Sequence, residues 1–245
     1  MELIPQIETP SGGDYPAFKK AILDFAESLR TRLEKPLQGV EVNYVDRLII
    51  EQNDGMNGLV LLKDLKEMVK NIELSFAFNL RDKNRIAIFS DLIALRQIGI
   101  KNIIVSEGAH PLKTRFKGAK PVYDIDVLSL TAMIKKGEIN HNDFRVGAVT
   151  GASTLADGVR IKKLDKTGAD EFLVNYSTDM DKSVIDLIKE TGKPFFIVSE
   201  EGENDFLKGL FKKASGFGAS GVIIKIKSRD LYEQEKLIDK WEKGR

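Results

Sequence analysis

The sequence predicts an α/β protein, a single (β/α)8 TIM barrel spanning residues 1–245. Three observations carry that expectation. A helix-like segment ending in Gly and running into a short apolar strand recurs as QIGIKNIIVS, KTGADEFLVN, ETGKPFFIVS and GFGASGVIIK, the cadence of βα units. The apolar runs are nearly continuous, as in parallel strands covered on both faces. At 245 residues the chain is also close to the roughly 250 typical of such barrels. Right-handed crossovers through eight units favour closure over an open doubly wound sheet.

The elements follow in strict alternation. Strands are expected at Leu3–Glu8, Val40–Val45, Glu73–Asn79, Asn102–Ser106, Arg145–Val149, Glu171–Asn175, Pro194–Val198 and Gly221–Ile226. Helices fit at Pro16–Leu33, Leu61–Lys70, Arg85–Ile98, Asp126–Lys135, Leu155–Thr167, Lys182–Thr191, Glu203–Phe217 and Arg229–Lys243. The stretch Arg81 to Gly108 is the clearest unit. Asp82 is placed to cap its helix, Ile86, Ile88, Leu92, Leu95 and Ile98 supply apolar faces, and Gly99 ends it. The run Ile103, Ile104, Val105 is then a buried strand, and Glu107-Gly108 falls where it stops. SGFGASG precedes a strand and reads as a helix-to-strand turn; His141, Trp241 and EKLIDKWEKGR read as structural helix surface.

Composition narrows the function. Lys plus Arg total 38 against 37 Asp plus Glu, so no global field draws nucleic acid or an anionic membrane. No apolar run approaches the roughly 20 residues of a membrane helix and MELIPQIETP lacks a basic-then-apolar leader, so a cytoplasmic location is expected. Zero cysteines and two histidines rule out disulfides, thiolate sites and a histidine-rich metal site. No phosphate-loop, G-x-G-x-x-G or G-x-S-x-G motif occurs.

In a barrel the chemistry sits at the carboxyl ends of the strands. That converts strand order into candidates: Glu8 and Thr9, Asn43 and Asp46, Asn79, Arg81 and Asp82, Glu107 and His110, Thr150, Asn175 and Tyr176, Glu200 and Glu201, Lys225 and Lys227. Glu8 ends an apolar strand before Thr9-Pro10, where burial would suit it to donating a proton; the alternative is pairing with a barrel lysine. Arg81, Asp82, Asn84 and Arg85 form either an anion site at a helix start or a cap with surface ion pairs. Asn175 can donate to and accept from a heterocycle, or tie neighbouring loops.

From Ile7 to about Asp179 the chain resembles the methylenetetrahydrofolate reductase family, (β/α)8 flavoproteins. The resemblance is strongest in RDKNRIAIFSDLIALRQIGIKNIIVSEG, then KPVYDIDVLSL, and weaker in FRVGAV and KTGADEFLVNYSTD. It implies reduction of a methylene-tetrahydropterin, folate or an archaeal analogue, to the methyl form, with hydride from NAD(P)H passing through FAD. Glu8 of IETP matches the family's general acid. Asn175 falls where the family has a pterin-contacting glutamine, and Asn79 is a second substrate-binding candidate. Gly108, Tyr123, Asp124, Asp157 and Lys163 match or fall near flavin-binding positions, and no metal is implied. The partner expected is the tetrahydropterin substrate, with a homo-oligomer or a partner subunit also open. Glu107-Gly108-Ala109 stands where many members have Arg-Gly-Asp, and Ala148-Val149-Thr150-Gly151 replaces an Ala-Tyr-Pro-Glu segment. The alternative is a non-catalytic pterin- or flavin-binding barrel, or a subunit of a one-carbon enzyme complex.

Overall fold

A computed structural model describes residues 1–32, 43–44, 47–52, 55–108, 118, 120–137, 143–200, 204–233, 236 and 239. The order is β1 (Glu2–Glu8), α1 (Tyr15–Arg32), β2 (Asn43–Tyr44), β3 (Arg47–Glu51), α2 (Gly58–Met68), β4 (Glu73–Asn79), α3 (Arg85–Ile98) and β5 (Asn102–Ser106). It continues with α4 (Val127–Lys135), β6 (Arg145–Thr150), α5 (Leu155–Thr167), β7 (Glu171–Asn175), α6 (Lys182–Glu190), β8 (Phe195–Glu200), α7 (Asn204–Phe217) and β9 (Gly221–Ile226). β1 and β3 to β9 pair in sequence order, all parallel, and the pairing of β1 with β9 closes the barrel. The fold is the expected (β/α)8 barrel.

Alternation along the strands separates two apolar layers. Ile4, Ile49, Ala77, Ile104, Leu173, Phe196, Val198 and Ile223 fill the barrel interior. Their neighbours along the strands, among them Leu3, Ile50, Phe76, Ile103, Phe172 and Val222, pack with the helices in a second, larger core. Residues two positions beyond the interior layer therefore line the barrel mouth. Residues two before it line the base.

The base is ionic. Glu171 is fully buried and takes a forked pair of bonds from Arg47, Nη2 to Oε1 at 2.6 Å and Nη1 to Oε2 at 3.1 Å. Arg145 adds a bond to Oε2 at 2.8 Å, and Arg47 Nε donates to Ser75 Oγ at 3.1 Å. The fork satisfies the planar guanidinium, which is how a charged pair is tolerated in an interior. Burial pushes the neighbouring Glu2 carboxyl above its ordinary value, against the pull of Arg47.

Four expectations need correction. The barrel strand is Arg47–Glu51, not Val40–Val45; the described residues of that range, Asn43–Tyr44, pair beside Glu2 and Leu3. RLIIE is buried throughout, and its leading Arg hides a strand whose charge is neutralised by a residue 124 positions away. The cap of α3 is Asn84, whose Oδ1 accepts from Ala87 N at 2.9 Å, while Leu80–Asp82 forms a 3-10 turn. Ile86 is 80 % exposed and contributes nothing to the core. In place of the start of a helix at Arg229–Lys243, Asp230–Glu233 is a 3-10 turn; Trp241, like His141, lies outside the described residues. The other expected elements start and end within three residues of the ranges above, and Gly99 ends α3 at φ 83° as a left-handed cap.

Candidate active site at the barrel mouth

Moving the second barrel strand changes which residue ends it. The register pairs Glu8 of β1 with Glu51 of β3. Ile4 and Ile49 point inward, so Gln6, Glu8 and Glu51 do too, and two carboxylates stand side by side at the top of the barrel. Glu51 is 8 % exposed. Its Oε2 accepts from Gln6 Nε2 at 2.7 Å and faces Lys225 Nζ at 3.4 Å. Lys225 is the register partner of Gln6 on β9, which closes the group across the β1–β9 seam. An apolar interior lies directly below, so these groups meet solvent on one side only.

Asn79 ends β4 on the same inward face. Its Nδ2 donates to the Gln52 carbonyl at 3.2 Å, which identifies its other terminal atom as oxygen. That Oδ1 is buried and has no partner among the described residues; neither has Gln52 Oε1. Unsatisfied buried acceptors are uncommon and mark places where a donor belongs. Gly108, at φ 77°, packs against Asn79 so closely that a Cβ there would lie 2.8 Å from Asn79 Cβ. Asn175 is exposed at the end of β7, and Thr9 is buried behind Glu8.

A second cluster lies outward, on the rim of the same end. Glu107 accepts from Arg160 Nη2 at 2.6 Å and Arg81 Nη2 at 3.3 Å, while Arg160 Nε is buried without a partner among the described residues. Arg81, Glu107, Tyr123 and Asp124 border a cavity of about 250 Å³. Asp126 caps α4 with a 2.6 Å bond from Ser129 N. Burial alone would raise its carboxyl, but the bonds to Ser129 outweigh that and hold it below the ordinary value.

The sequence-predicted positions thus fall into two groups. Glu8 and Asn79 share the mouth with Glu51 and Lys225. The others are spent on local structure or are exposed. Asp124 accepts from Arg85 N at 2.7 Å, and Asp157 forms a capping box with Thr154. Lys163 is exposed on α5 and Tyr123 is 75 % exposed. Thr150 is buried and donates to Gly151 O at 3.2 Å; Tyr176 lies under the Lys213 ammonium, 4.8 Å from its ring centre. Asp46, His110 and Glu201 lie outside the described residues, and Asn43 sits in β2 at the base. Glu51 and Gln6 were missed. The apolar run Leu48-Ile49-Ile50 before Glu51 was the available signal, since it matches the Ile-Glu ending of β1.

No family model matches the sequence, and no curated protein matches it. The fold has solved counterparts. A chain of the tryptophan synthase a2b2 complex of Pyrococcus furiosus aligns with a TM-score of 0.61 at 11 % identity, covering 98 % of this chain and 95 % of that one. A protein of Aquifex aeolicus VF5 aligns with a TM-score of 0.61 at 16 % identity over 99 % of this chain and 92 % of that one. Tryptophan synthase from M. tuberculosis, in an open form with BRD0059 bound, gives 0.61 and 12 % over 99 % and 91 %.

These neighbours overturn the methylenetetrahydrofolate reductase resemblance, and with it the reduction of a tetrahydropterin, FAD, NAD(P)H and the alternative of a pterin- or flavin-binding one-carbon subunit. The physical reason lies in the motifs. The longest matching block is one βα repeat with its capping residues, which any barrel of this kind needs. At the positions matched to the flavin, Asp124 and Asp157 hold helix starts and Glu107 bridges two arginines. Among the described residues, no helix is long and apolar enough to cross a membrane, and no three His, Asp or Glu side chains are grouped to hold a metal ion. What the comparisons establish for this chain is therefore its fold, a (β/α)8 barrel matched nearly end to end by tryptophan synthase chains at identities too low to carry a function.

Proposed function

We propose that the chain is an enzyme working by proton transfer at the barrel mouth, without a redox cofactor, with Glu51 as its acid–base group and Glu8 as the second carboxylate. The observation that carries this reading is Glu51 itself, a nearly buried carboxylate at a strand end whose polar contacts among the described residues, from Gln6 and Lys225, are on Oε2. Those contacts orient the group and leave Oε1 to take or return a proton. General acid–base groups of this kind contribute typically 10²–10⁴-fold in rate. Glu8, adjacent in register, supplies a second proton site, so that one carboxylate can remove a proton while the other delivers one. Asn79 Oδ1 would accept from a substrate hydroxyl or amine, and Asn175 would contact the substrate from the opposite wall.

The test is solvent exchange. Small carbonyl and hydroxy compounds are incubated with the protein in D2O, and deuterium uptake at carbon is followed by NMR. Uptake should fall by roughly 10²-fold or more in Glu51→Gln, in keeping with the loss of one acid–base group. Unchanged uptake in that variant would remove the role given to Glu51.

A partner subunit fits the same end of the barrel. The Pyrococcus furiosus neighbour comes from an a2b2 complex. Here Ile86 and Leu155, at the first turns of α3 and α5, and Tyr123 before α4 are 80 %, 84 % and 75 % exposed on the mouth side. Such apolar side chains at one rim suit burial against another subunit. The mass of the assembly in solution should drop when Ile86 and Leu155 are both changed to Ser.

A further inference from the structure

Lys225 can do more than the orienting of Glu51 that the proton-transfer reading gives it. Among the described strands it is the only lysine, and it stands on the inward face of β9, two residues beyond the interior Ile223. Its side chain is 23 % exposed, so the amine reaches the mouth while its stem is covered by the barrel wall. The contact with Glu51 is loose. At 3.4 Å it is longer than the 2.6 Å of Arg47 to Glu171, because Glu51 Oε2 already takes the 2.7 Å bond from Gln6. An amine held near a carboxylate, but not locked to it, is equipped as a nucleophile with its own proton carrier.

We propose that Lys225 forms an imine with the substrate, which makes the substrate an aldehyde or ketone; this rests on the mouth being the active site. The Lys225 ammonium first passes a proton to Glu51. The neutral amine then forms a C–N bond to the carbonyl carbon, the C=O π pair moves to oxygen, and one nitrogen proton is transferred to that oxygen, giving a carbinolamine. Glu51 returns its proton to the hydroxyl, which leaves as water as the C=N⁺ bond forms. The sum is ammonium plus carbonyl to iminium plus water, with no change of oxidation state. The iminium draws electrons from the adjacent carbon, so Glu8, next to Glu51 in register, is placed to take the proton released there. Asn79 Oδ1, buried at the same mouth and without a partner among the described residues, would accept from a hydroxyl of the bound molecule.

Reductive trapping decides this. The full chain is incubated separately with pyruvate and with dihydroxyacetone, borohydride is added, and peptides are mapped by mass spectrometry. The expected result is a stable adduct on Lys225 with at least one probe, several times more abundant than on the exposed Lys63 and Lys66. It should disappear in Lys225→Arg and weaken in Glu51→Gln. No adduct on Lys225 with either probe, or one no more abundant than on Lys63 and Lys66, overturns the proposal. The solvent-exchange experiment stands apart: Glu51-dependent uptake with no trapping would leave proton transfer in place and remove only the imine.

Discussion

Replacing Glu171 by Gln at the base of the barrel tests the account of what holds the fold together. Glu171 is wholly buried, and the Arg47 side chain that it grips is 5 % exposed. Removing the charge leaves the guanidinium enclosed with Glu73, 3.5 Å away and 47 % exposed, and the neighbouring Glu2 as carboxylates, neither in the forked geometry of Glu171. Breaking a buried pair from one side typically costs about 3–5 kcal/mol, because the surviving charge stays desolvated. Arg145 also touches Glu171, but its side chain is 44 % exposed, so Arg145→Gln should cost about 0–1 kcal/mol, the range of exposed pairs. Urea unfolding followed by far-ultraviolet circular dichroism measures both. A cost below about 1 kcal/mol for Glu171→Gln, or costs equal in the two variants, would refute the claim that Arg47 is desolvated. Arg47→Met with Glu171→Leu should recover most of the loss, since apolar replacement of a whole buried pair is often neutral or stabilising.

Three further outcomes follow from the same structure. Burial raises the Glu2 carboxyl above 4.5, so its ionised form is disfavoured in the folded state and the stability tied to its proton is lost as pH rises through the folded value. Glu2→Gln should therefore raise the melting temperature at pH 7, and the gain should vanish when pH falls below that of the free carboxyl. Burial and the bond to Asp64 push the Tyr15 hydroxyl up to about 12, so stability tied to its proton persists past 10 and is lost on approach to 12. Absorbance titration should show a late-ionising tyrosine that is absent in Tyr15→Phe. Gly108→Ala and Gly137→Ala share the strain of positive φ, about 1–2 kcal/mol. The first should cost more in thermal unfolding, because its Cβ would lie 2.8 Å from Asn79 Cβ, while none of the described residues comes within 4 Å of a Cβ at the second.

The parts of this protein that were legible in its sequence are those governed by near neighbours. Gly99 at the end of α3 and the apolar run of β5 are local signals, as is the recurrent helix–Gly–strand cadence, and together they imply a closed parallel barrel. The strand-end positions of Glu8 and Asn79 were legible because each closes a clear apolar strand. The second barrel strand was not, because it opens on Arg47, whose charge is answered only by Glu171. Asp82 was the expected cap of α3, and the backbone instead turns through Leu80–Asp82 and starts the helix after Asn84. The family resemblance failed for a related reason. Repeat cadence and capping residues recur wherever helices pack on parallel strands, so they report the architecture and not the chemistry carried on it.

Periodicity and glycine placement by themselves determined a (β/α)8 barrel, since both follow from how few residues a strand or a helix turn needs to repeat, and the barrel in turn made the carboxyl ends of its strands the place to look for a site. Only the tertiary structure decided which charged groups meet. Glu51 is brought beside Glu8 by strand register, and within 3.4 Å of Lys225 by closure of β9 onto β1. No spacing along the chain encodes contacts that exist only once the sheet has closed, and the candidate site is made of such contacts.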